Sequence, residues 1–128
     1  MKIADSLKIL VVDDMVGMRK FLTSRLAELG HHNITTAQNG QEAFDIIQKE
    51  KPQLVFLDVM MPKMNGFEVC QKIKMELEMD DVHIILLTAK GQEMDKEQGL
   101  SVGANEYMTK PFDPDNILDK AMNILGLE

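Results

Sequence analysis

The chain has 128 residues, 45% hydrophobic and 27% charged, which predicts one globular domain over residues 1–128 with no room for a second. Its net charge of −7 argues against a nucleic-acid partner, because binding to a phosphate backbone depends on clustered Lys and Arg. One cysteine excludes an internal disulfide and no apolar run has membrane-spanning length, so we expect a soluble cytoplasmic protein and no membrane partner.

Short apolar segments alternate along the chain with segments of helical periodicity. Uninterrupted apolar runs are typical of strands that are buried on both faces of a parallel sheet. The predicted strands cover residues 9–12, 33–37, 54–57, 84–87 and 106–109. Apolar residues that recur every three or four positions lie within 18–29, 43–47, 67–77, 94–102 and 117–125, and they predict a helix in each of these five regions.

Several of these helices carry recognisable end signals. Gly30 is a predicted C-cap of the first helix. Asn39 and Glu42 form a predicted capping box at the start of the second. Asp113 as N-cap and Pro114 at the first helical position predict the start of the last helix.

Five strand–helix pairs in strict alternation predict an α/β fold, a parallel sheet with helices on both faces. Right-handed crossovers place every strand-to-helix loop at the carboxyl edge of such a sheet. Ligands bind at that edge, near the point where the strand order reverses.

Polar side chains stand at the carboxyl ends of four predicted strands. They are Asp13, Asp14, Asp58, Thr88 and Lys110. Two carboxylates about 4 Å apart repel by about 1 kcal/mol in water and about 4 kcal/mol at an effective dielectric near 20. Either one carboxylate takes a proton or a hard cation neutralises the cluster, and oxygen ligands with room for water suit Mg²⁺.

The remaining two groups of this set favour a phosphate ligand. Lys110 supplies a positive point charge, and the hydroxyl of Thr88 can donate to an anionic oxygen. Carboxylates, a lysine and a hydroxyl in one cleft indicate phosphoryl transfer, in which a carboxylate nucleophile forms an acyl phosphate.

Four motifs in these segments resemble the response-regulator receiver domain: VVDD, LDVMMPKMNG, LTA and KPF. The resemblance extends over essentially the whole chain and implies a flavodoxin-like (βα)5 doubly wound sheet with strand order 2-1-3-4-5. The segment MRKFLTSRLAELGHHNITTAQNG, and the spacings between the aspartate, threonine and lysine positions, are similar to the stand-alone CheY-like chemotaxis regulators of that family.

The resemblance implies a role for each residue of the site. Asp58 would accept a phosphoryl group from a phosphohistidine on a sensor kinase. Asp13 and Asp14 would hold Mg²⁺, with Asp58 and the backbone carbonyl of Met60 as the other protein ligands. Lys110 would pair with the phosphate, and no other cofactor is implied.

The resemblance also implies a switch beside the site. Thr88 would move toward the phosphate, and Tyr107 would turn inward behind it. From the residues alone, a half-buried packing role for Tyr107 is as good a reading. The peptide bond before Pro111 would be cis. Positions Met60 and Lys90 tune the acyl-phosphate lifetime in the family, and both differ here from the residues common in chemotaxis receivers, so the lifetime is not predicted.

The expected protein is therefore a stand-alone response regulator of a two-component phosphorelay. It would be a monomer and no enzyme beyond its own phosphotransfer and dephosphorylation. Its expected partners are a CheA-like sensor histidine kinase, a phosphatase, and an output protein such as the flagellar motor switch that controls flagellar rotation in chemotaxis. The alternatives are a phosphorelay intermediate that passes the group to a phosphotransfer protein, a phosphate sink, and a receiver excised from a longer regulator.

Three other interpretations account for some of these residues. Asp13 and Asp14 could be an anion pair stabilised by the dipole of the following helix. An Mg²⁺-dependent aspartyl phosphatase of the haloacid-dehalogenase type needs an acidic residue two positions after its nucleophile, where this chain has Met60. A flavodoxin needs a phosphate loop rich in hydroxyl groups after the first strand, where this chain has DDMVGM.

Overall fold

The computed structural model describes residues 8–28, 33–61, 64–89, 101–110 and 114–124. Its strands are β1 (Ile9–Val12), β2 (Ile34–Ala37), β3 (Leu54–Asp58), β4 (His83–Ala89) and β5 (Glu106–Lys110). Its α-helices are α1 (Val16–Ala27), α2 (Gly40–Glu50), α3 (Gly66–Gln71) and α4 (Pro114–Ile124), and α3 continues into a π-helical turn, Lys72–Glu76. Most of the predicted helix over 94–102, and the predicted caps Gly30 and Asp113, lie outside the described residues.

The five strands form one parallel sheet in the order β2-β1-β3-β4-β5. This order confirms the flavodoxin-like fold that the family resemblance implied. β1 lies between β2 and β3, so the strand order reverses at β1 and the carboxyl ends of β1 and β3 are neighbours. That is the place where ligands bind in open sheets of this kind.

The central strands are apolar on both faces because helices cover both faces. Leu10 and Val12 of β1 pack on one side with the buried residues of α2 and α3. Ile9 and Val11 pack on the other side with the buried residues of α1 and α4. The uninterrupted apolar runs of the sequence therefore correspond to strands buried between two helical layers, as predicted.

The third helix differs from its prediction. The apolar pattern placed Leu77 on the buried face, but its relative exposure is 43%. The turn before it is π-helical, with the amide of Leu77 donating to the carbonyl oxygen of Lys72 at 2.9 Å. One additional residue per turn rotates the end of the helix, so the three- and four-residue spacing no longer points Leu77 inward.

Among the described residues, no helix is both long enough and apolar enough to cross a membrane.

Candidate functional site

Three carboxylates meet at the carboxyl edge of the sheet, where β1 and β3 end. Val12 of β1 and Leu57 of β3 are register partners. The residues that follow them, Asp13 and Asp58, therefore lie side by side. Oxygen atoms of Asp13, Asp14 and Asp58 all lie within 4.8 Å of one another. The geometry therefore matches the sequence prediction that Asp13, Asp14 and Asp58 share one cleft.

Two of the three carboxylates are buried. Asp13 has a relative exposure of 0% and Asp58 of 6%, whereas Asp14 is exposed. Two ionised groups at this separation repel by about 3.5 kcal/mol at an effective dielectric of about 20. A cluster of this kind is stabilised by a bound cation, and its oxygen-only donor set with one solvent-facing side fits a hard divalent ion such as Mg²⁺.

The orientation of Asp13 is fixed by hydrogen bonds from three directions. Its Oδ1 accepts from the amide of Met15 at 2.9 Å, and its own amide donates to the carbonyl oxygen of Ala37 at 3.1 Å. Its carbonyl oxygen accepts from Nη1 of Arg19 at 2.7 Å. Arg19 was not singled out by sequence reasoning, although it lies in the MR pair that contributed to the family resemblance.

The start of α3 is fitted against the end of β3. The amide of Gly66 donates to the carbonyl oxygen of Val59 at 2.9 Å, and a Cβ placed on Gly66 would lie 2.5 Å from the carbonyl oxygen of Asp58. Asn65 and Glu68 form a complete capping box at this helix start. A side chain on Gly66 would therefore push α3 away from Asp58.

The start of α2 makes a second close contact with the same connection. A Cβ placed on Gly40 would lie 1.7 Å from the carbonyl oxygen of Met64. Asn39 caps α2 by accepting from the amide of Glu42 at 2.9 Å, which confirms this half of the predicted capping box. The β3–α3 connection, which carries Met60, is thus anchored by the starts of two helices, and the side chain of Met60 is 62% exposed.

The hydroxyl of Thr88 forms hydrogen bonds with residues of β5. Thr88 is 2% exposed, and its Oγ1 lies 3.4 Å from both the carbonyl oxygen of Met108 and Oγ1 of Thr109. Tyr107 is half-buried and packs against the core on the side of α2 and α3. Tyr107 therefore has a half-buried packing role in this structure. The switching roles of Thr88 and Tyr107 stay predictions.

Part of the predicted site lies outside the described residues. The backbone of Lys110 pairs with Ala89 at the end of β5, and β4 separates β5 from β3 in the sheet order. The side chain of Lys110, the whole of Lys90 and the peptide bond before Pro111 are not described. Their predicted roles stay predictions.

Two similar proteins are regulators about twice as long as this chain. A “Probable transcriptional regulator ycf27” of Porphyra purpurea is 47% identical over 118 residues, which is 92% of this chain and 47% of that protein. The “Alkaline phosphatase synthesis transcriptional regulatory protein PhoP” of Bacillus subtilis (strain 168) is 43% identical over 118 residues, 92% of this chain and 48% of that protein. The chain thus spans about half the length of these curated relatives.

A solved structure matches over most of both chains. The chemotaxis response regulator CheY4 of Vibrio cholerae superposes with a TM-score of 0.82 at 31% identity, covering 92% of this chain and 98% of that one. The comparisons do not specifically support chemotaxis, because the relatives of higher identity are named as transcriptional regulators. Those names also run against the prediction that the protein has no nucleic-acid partner.

The sequence profile of the response regulator receiver domain matches residues 9–122. That match begins at the first residue of β1 and includes the three carboxylates, all five strands and most of α4. The chain therefore belongs to the response regulator receiver domain family.

Proposed function

We propose that this chain is a phosphoryl-accepting signalling domain of a two-component system, with Asp58 as the acceptor. Receiver domains take phosphoryl groups from histidine kinases, and this chain has that family's profile. The observation that carries the proposal is the convergence of Asp13, Asp14 and Asp58 at the switch point of the sheet, with Asp13 and Asp58 buried. A protein that used these residues for stability alone would gain nothing from placing like charges together.

The proposed reaction is a single phosphoryl transfer. A carboxylate oxygen of Asp58 attacks the phosphorus of a phosphohistidine, the P–N bond breaks, and its electron pair stays on the imidazole nitrogen, which takes up a proton. Asp13, Asp14, Asp58 and the carbonyl of Met60 would hold Mg²⁺, which when bound neutralises negative charge on the phosphoryl oxygens. Lys110 would pair with the transferred group.

The proposed output is a change of conformation. Phosphorylation adds roughly two negative charges and new acceptor oxygens at Asp58. A conformer in which Thr88 turns toward that group and Tyr107 turns inward is then favoured by its additional contacts. A shift from mostly inactive to mostly active needs about 5 kcal/mol, which several charge-assisted hydrogen bonds can supply. We expect the changed surface to involve β5, α4 and the segment that precedes β5.

We propose transcriptional control as the output. The relatives named as transcriptional regulators are 47% and 43% identical, against 31% for the chemotaxis protein. The second candidate, a stand-alone regulator of chemotaxis or a phosphorelay intermediate, is favoured by the match over 98% of CheY4. In either case the domain would catalyse only its own phosphotransfer and dephosphorylation, in the cytoplasm.

The acceptor is tested with a small-molecule phosphodonor. The protein is incubated with acetyl phosphate and Mg²⁺, and intact mass is measured before and after hydroxylamine. We expect one hydroxylamine-labile phosphoryl adduct that is lost in Asp58→Asn and in the presence of a chelator. Asp45→Asn, which changes an exposed aspartate of α2, is the matched control and should be phosphorylated like the wild type.

Two results would contradict the proposal. An adduct that survives in Asp58→Asn would place the acceptor elsewhere. Steady release of phosphate from several unrelated phosphomonoesters, without a stable adduct, would instead support the aspartyl phosphatase interpretation.

The output is tested in the organism that encodes the chain. Under transcriptional control, Asp58→Asn changes transcript levels and leaves swimming behaviour unaltered. A change in the bias of flagellar rotation with unaltered transcripts would reject transcriptional control in favour of chemotaxis.

A further inference from the structure

We propose that Thr109 is a positioning residue that holds the hydroxyl of Thr88 against β5 in the unphosphorylated protein. This inference rests on the proposed function, in which Thr88 turns toward the phosphorylated Asp58. Thr109 would then set how readily the domain switches, without touching the phosphoryl group itself. Neither the motifs nor the predicted site included this residue.

The two threonines are neighbours by register. Thr88 and Thr109 are Cα partners on the adjacent parallel strands β4 and β5, so their side chains stand on the same face of the sheet. Their hydroxyl oxygens are 3.4 Å apart. Thr88 is buried, whereas Thr109 is exposed.

The hydroxyl of Thr88 has one proton and two interactions on β5. It donates to the carbonyl oxygen of Met108 or to Oγ1 of Thr109, both at 3.4 Å, and it can accept from Thr109 while it donates to Met108. At this length each contact is weaker than an ordinary O–H···O bond. Two weak contacts retain a buried hydroxyl while leaving it able to exchange to a charged acceptor.

Removing one of those contacts should favour the exchange. In Thr109→Val the shape of the side chain is kept and the hydroxyl is lost, so Thr88 is held by Met108 alone. The inactive conformer loses a contact that the active conformer does not make. The variant should therefore reach the active state at a lower concentration of phosphoryl analogue.

Tyr107 provides the readout. The chain has one tyrosine and no tryptophan, so its tyrosine fluorescence reports on Tyr107 alone. Tyr107 lies two residues before Thr109 on the same strand, and it pairs in register with Leu86, two residues before Thr88. A change in the surroundings of Tyr107 on activation is thus measurable without a label.

The experiment is a titration of the full chain with beryllofluoride, a phosphoryl analogue, in the presence of Mg²⁺. We expect the midpoint for Thr109→Val to fall roughly two- to fivefold below that of the wild type, the effect of losing one weak neutral hydrogen bond. Thr109→Ser keeps the hydroxyl and should stay close to the wild type. Thr36→Val, which changes an exposed threonine in β2, is the control for a hydroxyl lost from a strand and should not move the midpoint.

A second arm separates positioning from a general effect on the fold. In a Thr88→Ala background, Thr109→Val should no longer shift the midpoint, because the two residues act as a coupled pair. A midpoint in Thr109→Val that equals or exceeds that of the wild type overturns the inference. So does a shift of equal size in Thr109→Ser, or one that persists in Thr88→Ala.

Failure of the proposed function gives a different result. If the wild type shows no Mg²⁺-dependent response to beryllofluoride and no adduct with acetyl phosphate, the proposed function falls and this inference with it. If the wild type responds and Thr109→Val follows the same curve, only the role of Thr109 is rejected.

Discussion

The two edges of the sheet hold carboxylates in different surroundings. At the amino edge, where β5 begins, Glu106 lies between two basic side chains: its Oε2 is 2.9 Å from Nε2 of His83, and its Oε1 accepts from Nζ of Lys120. At the carboxyl edge, where β1 and β3 end, the oxygens of Asp13 and Asp58 lie within 4.8 Å of each other. One edge pairs opposite charges, and the other gathers like charges.

This difference separates a stabilising cluster from a ligand-binding one. Burial alone would raise the pKa of Glu106, but the hydrogen bonds from Lys120 and His83 outweigh burial and lower that pKa. The negative charge of Glu106 is compensated within the fold, and its contacts with His83 and Lys120 connect β5 to β4 and α4. The carboxyl edge instead keeps two buried carboxylates together, and a bound cation would reduce their mutual repulsion. The compensated charges and the clustered carboxylates thus lie at opposite edges of the same sheet.

The largest predicted effect tests how the carboxyl edge is held in shape. Gly40→Ala places a Cβ 1.7 Å from the carbonyl oxygen of Met64, so α2 or the β3–α3 connection must move. We expect a loss of about 2–4 kcal/mol in the free energy of unfolding, measured with urea.

Gly17→Ala is the matched control for this prediction. Gly17 lies in the first turn of α1, and a Cβ there meets no atom within 4 Å. Alanine is the better helix former, so this change should raise the free energy of unfolding by up to about 1 kcal/mol. Equal effects at the two glycines would mean that the contact with Met64 does not constrain the edge.

The next effect tests the repulsion between the carboxylates. Asp13→Asn removes one charge but retains Oδ1, which accepts from the amide of Met15. In the presence of a chelator, the variant should be more stable than the wild type by about 1 kcal/mol, because the repulsion with Asp58 is gone. Its melting temperature should rise less on addition of Mg²⁺. The apparent affinity for Mg²⁺ derived from that rise should be at least about tenfold lower than that of the wild type.

The exposed Asp45 again provides the control. Asp45→Asn should leave the melting temperature within about 1 °C in chelator and keep the full response to Mg²⁺. If Asp13→Asn proved less stable than the wild type in chelator, the contrast between the two edges would be lost, since Asp13 would then be stabilising in its own right.

The strands and the carboxylate cluster could be predicted from the sequence because both depend on local patterns and topology. An apolar run that ends in Asp places that residue at the carboxyl edge, whichever helices cover the sheet. Asp13 and Asp58 needed only the rule that parallel strands end at one edge. The predicted ends of the five strands thus lie within two residues of the observed ones. The strand order was predicted from the family resemblance.

The contacts that hold the site depend on which side chains meet across the fold. Arg19 reaches a backbone oxygen six residues away, and Thr109 meets Thr88 across 21 residues of chain. A strand pattern says that two residues share a face but not which positions are register partners. The exposure of Leu77 depends on a π-helical turn, and periodicity assumes an α-helix throughout.

The smallest predicted effect lies at the amino edge. The pKa of Glu106 is lowered in the folded state from an ordinary value of 4.5, so the ionised form is favoured by folding. Its stabilisation is therefore complete above pH 4.5 and is lost as the pH falls through the lower, folded-state pKa. Glu106→Gln should cost up to about 1 kcal/mol near neutral pH, and the difference from the wild type should shrink in acid.

The exposed pair of Arg25 and Glu28 serves as the reference for that prediction. Its side chains are 40% and 52% exposed, against 28% and 31% for His83 and Glu106, so Glu28→Gln should cost less than about 0.5 kcal/mol. Urea unfolding across the acid range measures both variants. A cost for Glu106→Gln that stays constant with pH would show that packing, and not charge pairing, stabilises the amino edge. The two edges would then differ only in the repulsion between Asp13 and Asp58, because charge pairing would not stabilise the amino edge.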